Sequence, residues 1–287
     1  MNKLVFSLSL CLCVGFTAIA QDSDAVFTNK RGIAILPNAG DFAIGIDATP
    51  MLNYLGSVLS NNNATAPSFQ AFQNTVYGKY FLENNRALRA RLTIDLTNTA
   101  NKSYVTDHKK YLTNPATEDK VIDVEHFSKF AVKLGVGYEI RRGYGRLQGF
   151  YGGEVSLGLG GGKEYWERGN AITTDIRNPF TCTNFTTGAE GQRGTRDTEI
   201  KHGKTFSFGL GGFAGVEYFF APKISIGGEL GLGLSLNTTG EDVKTTENWN
   251  VTDNKYQSKT VKSFSSSPRS IMFGDTMGGK IFILFHF

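Results

Sequence analysis

The chain has 287 residues, a formal net charge of +4 and 40% hydrophobic residues. That is enough for one sizeable domain and too weak a basic bias to argue for nucleic acid; the apolar content also fits a soluble class, and no helix-length apolar run follows residue 20. Its 34 glycines exceed the usual share of roughly 7%, and its 3 cysteines exclude a disulfide-stapled scaffold.

Lys3, an apolar run over 4–18 and Ala18-Ile19-Ala20 before Gln21 follow the order of a cleavable signal peptide, assigned to 1–20. The run is short of the roughly 20 apolar residues a spanning helix needs, and Ser7, Ser9 and Thr17 interrupt it. Cys11 and Cys13 lie inside it without a lipoprotein processing context, so Cys182 alone survives maturation. Cleavage removes Lys3 and takes the formal charge from +4 to +3. A segment at 21–40 follows and is expected in the periplasm, where Ile33-Ala34-Ile35-Leu36 either folds into a lumen or docks on a partner.

From there the chain repeats with a period of two, the pattern of strands with one apolar face. The first strand is expected at 42–48, followed by a hairpin of 74–83 and 87–97 around Asn84-Asn85. In the second of these, Leu88, Ala90, Leu92, Ile94 and Leu96 interleave with Arg89, Arg91, Thr93 and Asp95. Strands at 127–140 and 146–160 flank a turn read at 141–145, with Val132, Leu134, Val136 and Tyr138 opposite in face to Lys133, Gly135, Gly137 and Glu139. Two more, 205–220 and 223–236, meet at Ala221-Pro222, where a turn tolerates proline. The last strand runs over 277–287.

Connections between these eight segments alternate in length: short at 84–86, 141–145 and 221–222, long at 49–73, 98–125, 161–203 and 238–274. Outer-membrane barrels have short periplasmic turns and long extracellular loops, so the expected fold is an all-β, eight-stranded antiparallel up-and-down transmembrane β-barrel over 41–287. Four long loops lie outside and both termini lie in the periplasm. A soluble sandwich gives no reason for loop lengths to sort by end.

With the apolar face toward lipid, the opposite face fills a barrel only wide enough for side chains to pack. That interior set contains Asp47, Asp95, Glu139, Glu154, Glu217 and Glu229 against Lys79, Arg89, Arg91, Lys133 and Lys280. Buried charge is costly unless paired, so a balanced set reads as an ion-pair network closing the lumen. A register symmetric about 141–145 places Lys133 across from Glu154. An ion or proton pathway is the rival reading.

Aromatic residues are expected at the two interfaces: Tyr80, Tyr138, Tyr151 and Tyr218 at the inner ends, Phe127, Phe206, Phe208, Tyr165 and Trp166 at the outer ones. The terminal strand has apolar residues at every second position up to Phe285 and Phe287, and resembles the signal read by barrel-assembly machinery. The stretch Leu36-Pro37-Asn38-Ala39-Gly40-Asp41-Phe42-Ala43-Ile44-Gly45-Ile46-Asp47-Ala48-Thr49-Pro50, with the barrel pattern and terminal Phe287 behind it, resembles the small outer-membrane β-barrel proteins of Bacteroidota. The resemblance implies a cell-envelope setting, in some members as accessory subunits of larger machines, and no chemistry.

Catalytic motifs are thin. Gly158-Leu159-Gly160-Gly161-Gly162-Lys163 lacks the first glycine and the Ser or Thr of a phosphate loop, and Gly209-Leu210-Gly211-Gly212-Phe213-Ala214 lies in a strand with no helix behind it. His126 and His202, near Asp123, Glu125, Asp197 and Glu199, are placed at the outer rim, where a hydrolytic dyad or metal site is an alternative to solvated rim residues. His108 is assigned to a polar loop and His286 to the periplasmic mouth. The expected protein is non-catalytic and needs no cofactor or metal. It acts as a structural or accessory subunit of an envelope complex through its outer loops, with Tyr104, Tyr111, Phe185 and Trp249 among them, and through its N-terminal segment. Expected partners are outer-membrane lipid and lipopolysaccharide, the assembly machinery and other envelope proteins, with no nucleic acid. A small pore or lateral path for apolar compounds is the first alternative; an outer-leaflet enzyme acting on lipid A is the second.

Overall fold

The computed structural model describes residues 27–28, 30–48, 57–58, 75–264, 268–273 and 278–287. The leader at 1–20 lies outside these residues, as does nearly all of the 49–73 connection. Period-two alternation becomes strand wherever one face is apolar: β1 (Phe42–Asp47), β2 (Thr75–Glu83), β3 (Arg86–Thr106), β4 (Lys120–Tyr144) and β5 (Leu147–Glu167). After a small hairpin of β6 (Phe180–Asn184) and β7 (Ala189–Gln192) come β8 (Thr195–Ala221), β9 (Ile224–Thr239), β10 (Glu241–Asn250), β11 (Lys255–Phe264), β12 (Arg269–Phe273) and β13 (Gly278–His286). One short helix, α1 (His108–Thr113), sits between β3 and β4, capped by the Asp107 carboxylate. No helix among the described residues is long and apolar enough to cross a membrane, which says nothing of crossing by strands.

The pairing closes on itself. β1 pairs with β2, and the antiparallel order continues through β3, β4, β5, β8 and β9 to β13, which returns to β1. β12 pairs with β9 beyond β13 and continues the same edge. Closure gives every strand of the ring a partner on both sides. Along each ring strand one set of side chains is buried and the alternate set is exposed and apolar: Ile44, Ile46, Leu88, Val136, Leu157 and Leu232 all point outward. Contiguous exposed apolar surface on this scale is foreign to water-soluble monomers.

Two expectations about the connections are corrected. The β4–β5 turn is the two-residue Gly145-Arg146, with Tyr144 pairing Leu147, not the stretch 141–145. Gly145 there has φ +60°, the left-handed conformation a tight hairpin needs. Lys133 therefore pairs with Gly158, and Glu154 with Gly137, which overturns a Lys133–Glu154 pair. The stretches 98–125, 161–203 and 238–274 are largely strand: β3 and β4 stay in register out to Thr106 and Lys120, while β10 and β11 extend the sheet beyond the closed ring. Past the ring, the order β3–β4–β5–β8–β10–β11 is an open sheet.

The segment before β1 covers the tight-turn end. Ile35 and Pro37 are buried, Lys223 N–H donates to Ile35 O at 3.2 Å, and Ala39 N–H donates to Asn84 Oδ1 at 3.0 Å. Lys223, in a turn at φ 60°, also pairs with Asp41. The contacts of 33–36 are with the turns, as a cap on that end, which is neither insertion into the lumen nor docking on a partner.

Candidate functional site

Inward positions of the ring carry two layers of paired charge. In the layer nearest the tight turns, Lys79 Nζ lies 2.9 Å from Glu139 and 3.3 Å from Glu217, and Arg141 Nη1 lies 3.0 Å from Glu217 and 3.4 Å from Glu139. Ser225 Oγ donates to Glu217 Oε1 at 2.6 Å, and His286 Nε2 lies 3.1 Å from the same oxygen. One layer further in, Arg89 forms a two-pronged pair with Glu229 at 2.6 and 3.2 Å, and Glu154 bridges Arg89 and Arg91.

Aromatic rings seal the gaps between the charges. Lys79 Nζ lies over the rings of Phe150 and Phe282 at 4.6 and 5.3 Å, Arg89 Cζ is 3.9 Å from the Phe213 centroid, and Arg141 lies over Phe81 and Phe219. Tyr77, Phe150, Phe213, Phe282 and Leu284 form one buried cluster. The facing glycines make room for it: a methyl on Gly215 collides with the Phe150 ring, and one on Gly227 with Phe282. At this depth the cross-section is filled by side chains.

Of the residues assigned to the lumen from sequence, Lys79, Arg89, Arg91, Glu139, Glu154, Glu217 and Glu229 meet in this network. Asp47 is 3% exposed, and Lys280 shares a small void with Arg91, Glu154 and Glu229. Asp95 and Lys133 do not join. They face inward above the network, at the wall of a cavity of about 740 Å³ that also takes in Phe127, Lys129, His202 and Asp242. Sequence reasoning missed Arg141, which it placed in a turn, and the Ser225–His286 pair; continuing the odd-numbered inward positions of β4 past Glu139 would have found Arg141.

The outer ends are tied together. Asp123, fully buried, accepts hydrogen bonds from Thr181 Oγ1 at 2.7 Å, Gly169 N–H at 2.8 Å, Cys182 N–H at 2.9 Å and Arg168 Nη1 at 3.3 Å. Arg196 links Glu247 on β10 to the Asn170 carbonyl, and the Asn170 amide donates to Thr106 O and Phe180 O. His108 is not a solvated loop residue: it packs against Tyr111 and Phe180, and its Nδ1 accepts from Phe180 N–H. Burial holds its pKa below the usual imidazole range.

The two rim histidines are on opposite faces. His126 stacks on outward Tyr165 at 4.3 Å with Nε2 3.5 Å from Glu167, while His202 points inward, 3.1 Å from Glu164. Asp123 is occupied by its donors, so the pairings expected from neighbours in sequence are replaced by cross-strand ones. No group of His, Cys, Asp and Glu suited to a metal ion occurs among the described residues. Tyr80, Tyr138, Tyr151 and Tyr218 are exposed on the outer face, as is Phe206, but Phe127 and Trp166 point inward, Trp166 donating to Glu125. At the C-terminus, Phe285 is outward and Phe287 stacks on Phe42 at 5.1 Å.

An antiparallel sheet that closes on itself, apolar outside and charged within, is the construction of an outer-membrane β-barrel. The model of the "Putative OmpA-OmpF-like porin family" matches residues 63–233, more than half of the chain, and the chain belongs to that family. A solved structure described as a major outer membrane protein from Thermus thermophilus is similar over 87% of this chain and 100% of that one, at 11% identity and a TM-score of 0.34. No curated protein matches the chain in sequence.

Proposed function

We propose that the ring of eight strands is an occluded transmembrane barrel, with both termini in the periplasm. Its work is done by the sheet and loops held outside the membrane, as a non-catalytic structural or accessory component of a cell-envelope assembly. The observation that carries this is the filled cross-section: Lys79, Glu139, Arg141 and Glu217 are each 3% exposed or less in their side chains and compensate one another's charge. A path for ions would have to break those pairs, at several kcal/mol for a buried pair. The hydrogen bonds that join Asp123, Asn170 and Arg196 across three connections give the outer part a defined shape to present. Lipid and lipopolysaccharide are the surroundings in this reading, the assembly machinery is met during biogenesis, and other envelope proteins are the partners.

Planar-bilayer recording of the purified full chain tests it. The expected result is no resolved single-channel conductance, together with copurification of defined partners in mild detergent and lipid A masses unchanged by His126→Ala and His202→Ala. Family membership favours a second reading, a small pore. Stable unitary conductance that changes with Arg141→Ala would establish it and remove the first.

A further inference from the structure

We infer that the cavity above the plug is a binding site for one or two sugar rings, entered from outside the cell. It arises because three inward positions of β5, Gly158, Gly160 and Gly162, carry no side chain where their partners across the sheet do: Lys133 stands opposite Gly158 and His202 opposite Gly162. The space left, about 740 Å³, is of the size that holds small ligands.

Its polar groups are of both kinds. Lys129 and Lys133 sit four residues apart on the inward face of β4, and Asp95 of β3 is paired with Ala131 between them. Among the described residues none of these three charges has an ion pair or hydrogen bond, in contrast to the charges in the network below. Asp242 lies on the far wall, one carboxylate oxygen taken by Gly203 N–H; Ser207, Thr93 bonded to Thr75, the Thr205–Thr239 hydroxyl pair and His202 bonded to Glu164 are the other polar groups of the lining. A simple anion would meet two lysines but also two carboxylates, and a cation the reverse. A polyhydroxylated ring satisfies both, since each hydroxyl donates and accepts, and Phe127 supplies the apolar surface for a ring face. The site lies above the sealed layers, so it stands whether or not the lumen conducts.

Titration calorimetry of the full chain in an amine-oxide detergent, which carries no sugar headgroup, tests this. The probes are maltose, N-acetylglucosamine, chitobiose and galacturonate, with sodium sulfate as the anion control. Saturable binding of at least one sugar is expected, weakened at least five-fold by Lys133→Ala and by Asp95→Asn. Gly160→Leu should abolish it by filling the space: a Cβ there meets only Phe130 O at 3.4 Å and Ala131 at 3.8 Å, so the backbone need not move. No heat with any of the four sugars overturns the assignment, as does sulfate binding that depends on Lys133 but not on Asp95, or sugar binding untouched by both Lys133→Ala and Gly160→Leu. Should Gly160→Leu fail to fold, Lys133→Ala, at a half-exposed position of the cavity wall, keeps the test decisive.

Discussion

Replacing Arg89 by methionine is the sharpest probe of how the lumen is held. Arg89 is 3% exposed, lies 2.6 Å from Glu229 and 3.5 Å from Glu154, and rests on the Phe213 ring. Methionine keeps the contact with Phe213 and removes the charge. Glu154 retains Arg91, but Glu229 loses both prongs of its pair and keeps only Lys280, its cross-strand partner, which lies beyond ion-pair distance. Stranding one partner of a buried pair costs about 3–5 kcal/mol, whereas replacing both by apolar residues of similar volume is often neutral or better. The double variant Arg89→Met with Glu229→Leu is therefore expected to regain most of the loss, within about 1 kcal/mol of the parent. Urea unfolding of the refolded barrel, followed by circular dichroism, measures both. A single-variant loss under about 1 kcal/mol, or a double variant as unstable as the sum of its singles, refutes the claim that charge compensation holds the lumen.

Further consequences concern the two ends of the molecule. Asp123→Asn should loosen the outer connections by about 2–3 kcal/mol, since it takes a charged acceptor from four donors; faster proteolysis of the 168–194 stretch with the barrel intact is the readout. The same region should open at acid pH. Because the folded pKa of His108 lies below its unfolded value of 6.5, the folded state binds fewer protons, and stability present above pH 6.5 is lost as pH falls below it. The protection factor of the Phe180 amide, bonded to His108 Nδ1, should fall from about pH 7.5 to about pH 5 once the intrinsic slowing of exchange toward acid is divided out, and His108→Gln should remove this pH dependence. Phe287→Ala should lower assembly yield in cells while leaving refolding into detergent within about two-fold, a split that tests the terminal residue as an assembly signal; equal losses in both would make it only a packing residue against Phe42.

What the sequence disclosed was the part imposed by lipid. An apolar face at every second position, as in Leu88 to Leu96, is demanded by the bilayer, and with it come the strand's inward set and the charges it carries. Register was hidden. Arg141-Arg142-Gly143-Tyr144 has the composition of a turn, yet Arg141 is 2% exposed and paired with Glu217, because the hairpin closes further on at Gly145-Arg146. Pairs such as Lys79 with Glu217 and Arg89 with Glu229 join residues 138 and 140 positions apart, set by how the ring closes and by no local pattern. The outer strands were hidden for the opposite reason: β11 is exposed along its whole length, and without an apolar face its period of two leaves no hydrophobic trace.

The distribution of unpaired charge locates the boundary between dry and wet lumen. Below Arg91 and Glu154 the buried side chains sit against countercharges, as a low-dielectric interior requires. Beyond the ring, Asp123 with Arg168 and Arg196 with Glu247 are again compensated. Lys129, Lys133 and Asp95 lie between these two systems without partners among the described residues, at the wall of the cavity, where solvation takes the place of pairing. In the proposed occluded barrel, water would reach these groups from the mouth opposite the tight turns and stop above the Arg91–Glu154 pair. The glycines of β5 leave that space open, and in the proposed reading it is a well whose floor is the Arg91–Glu154 pair.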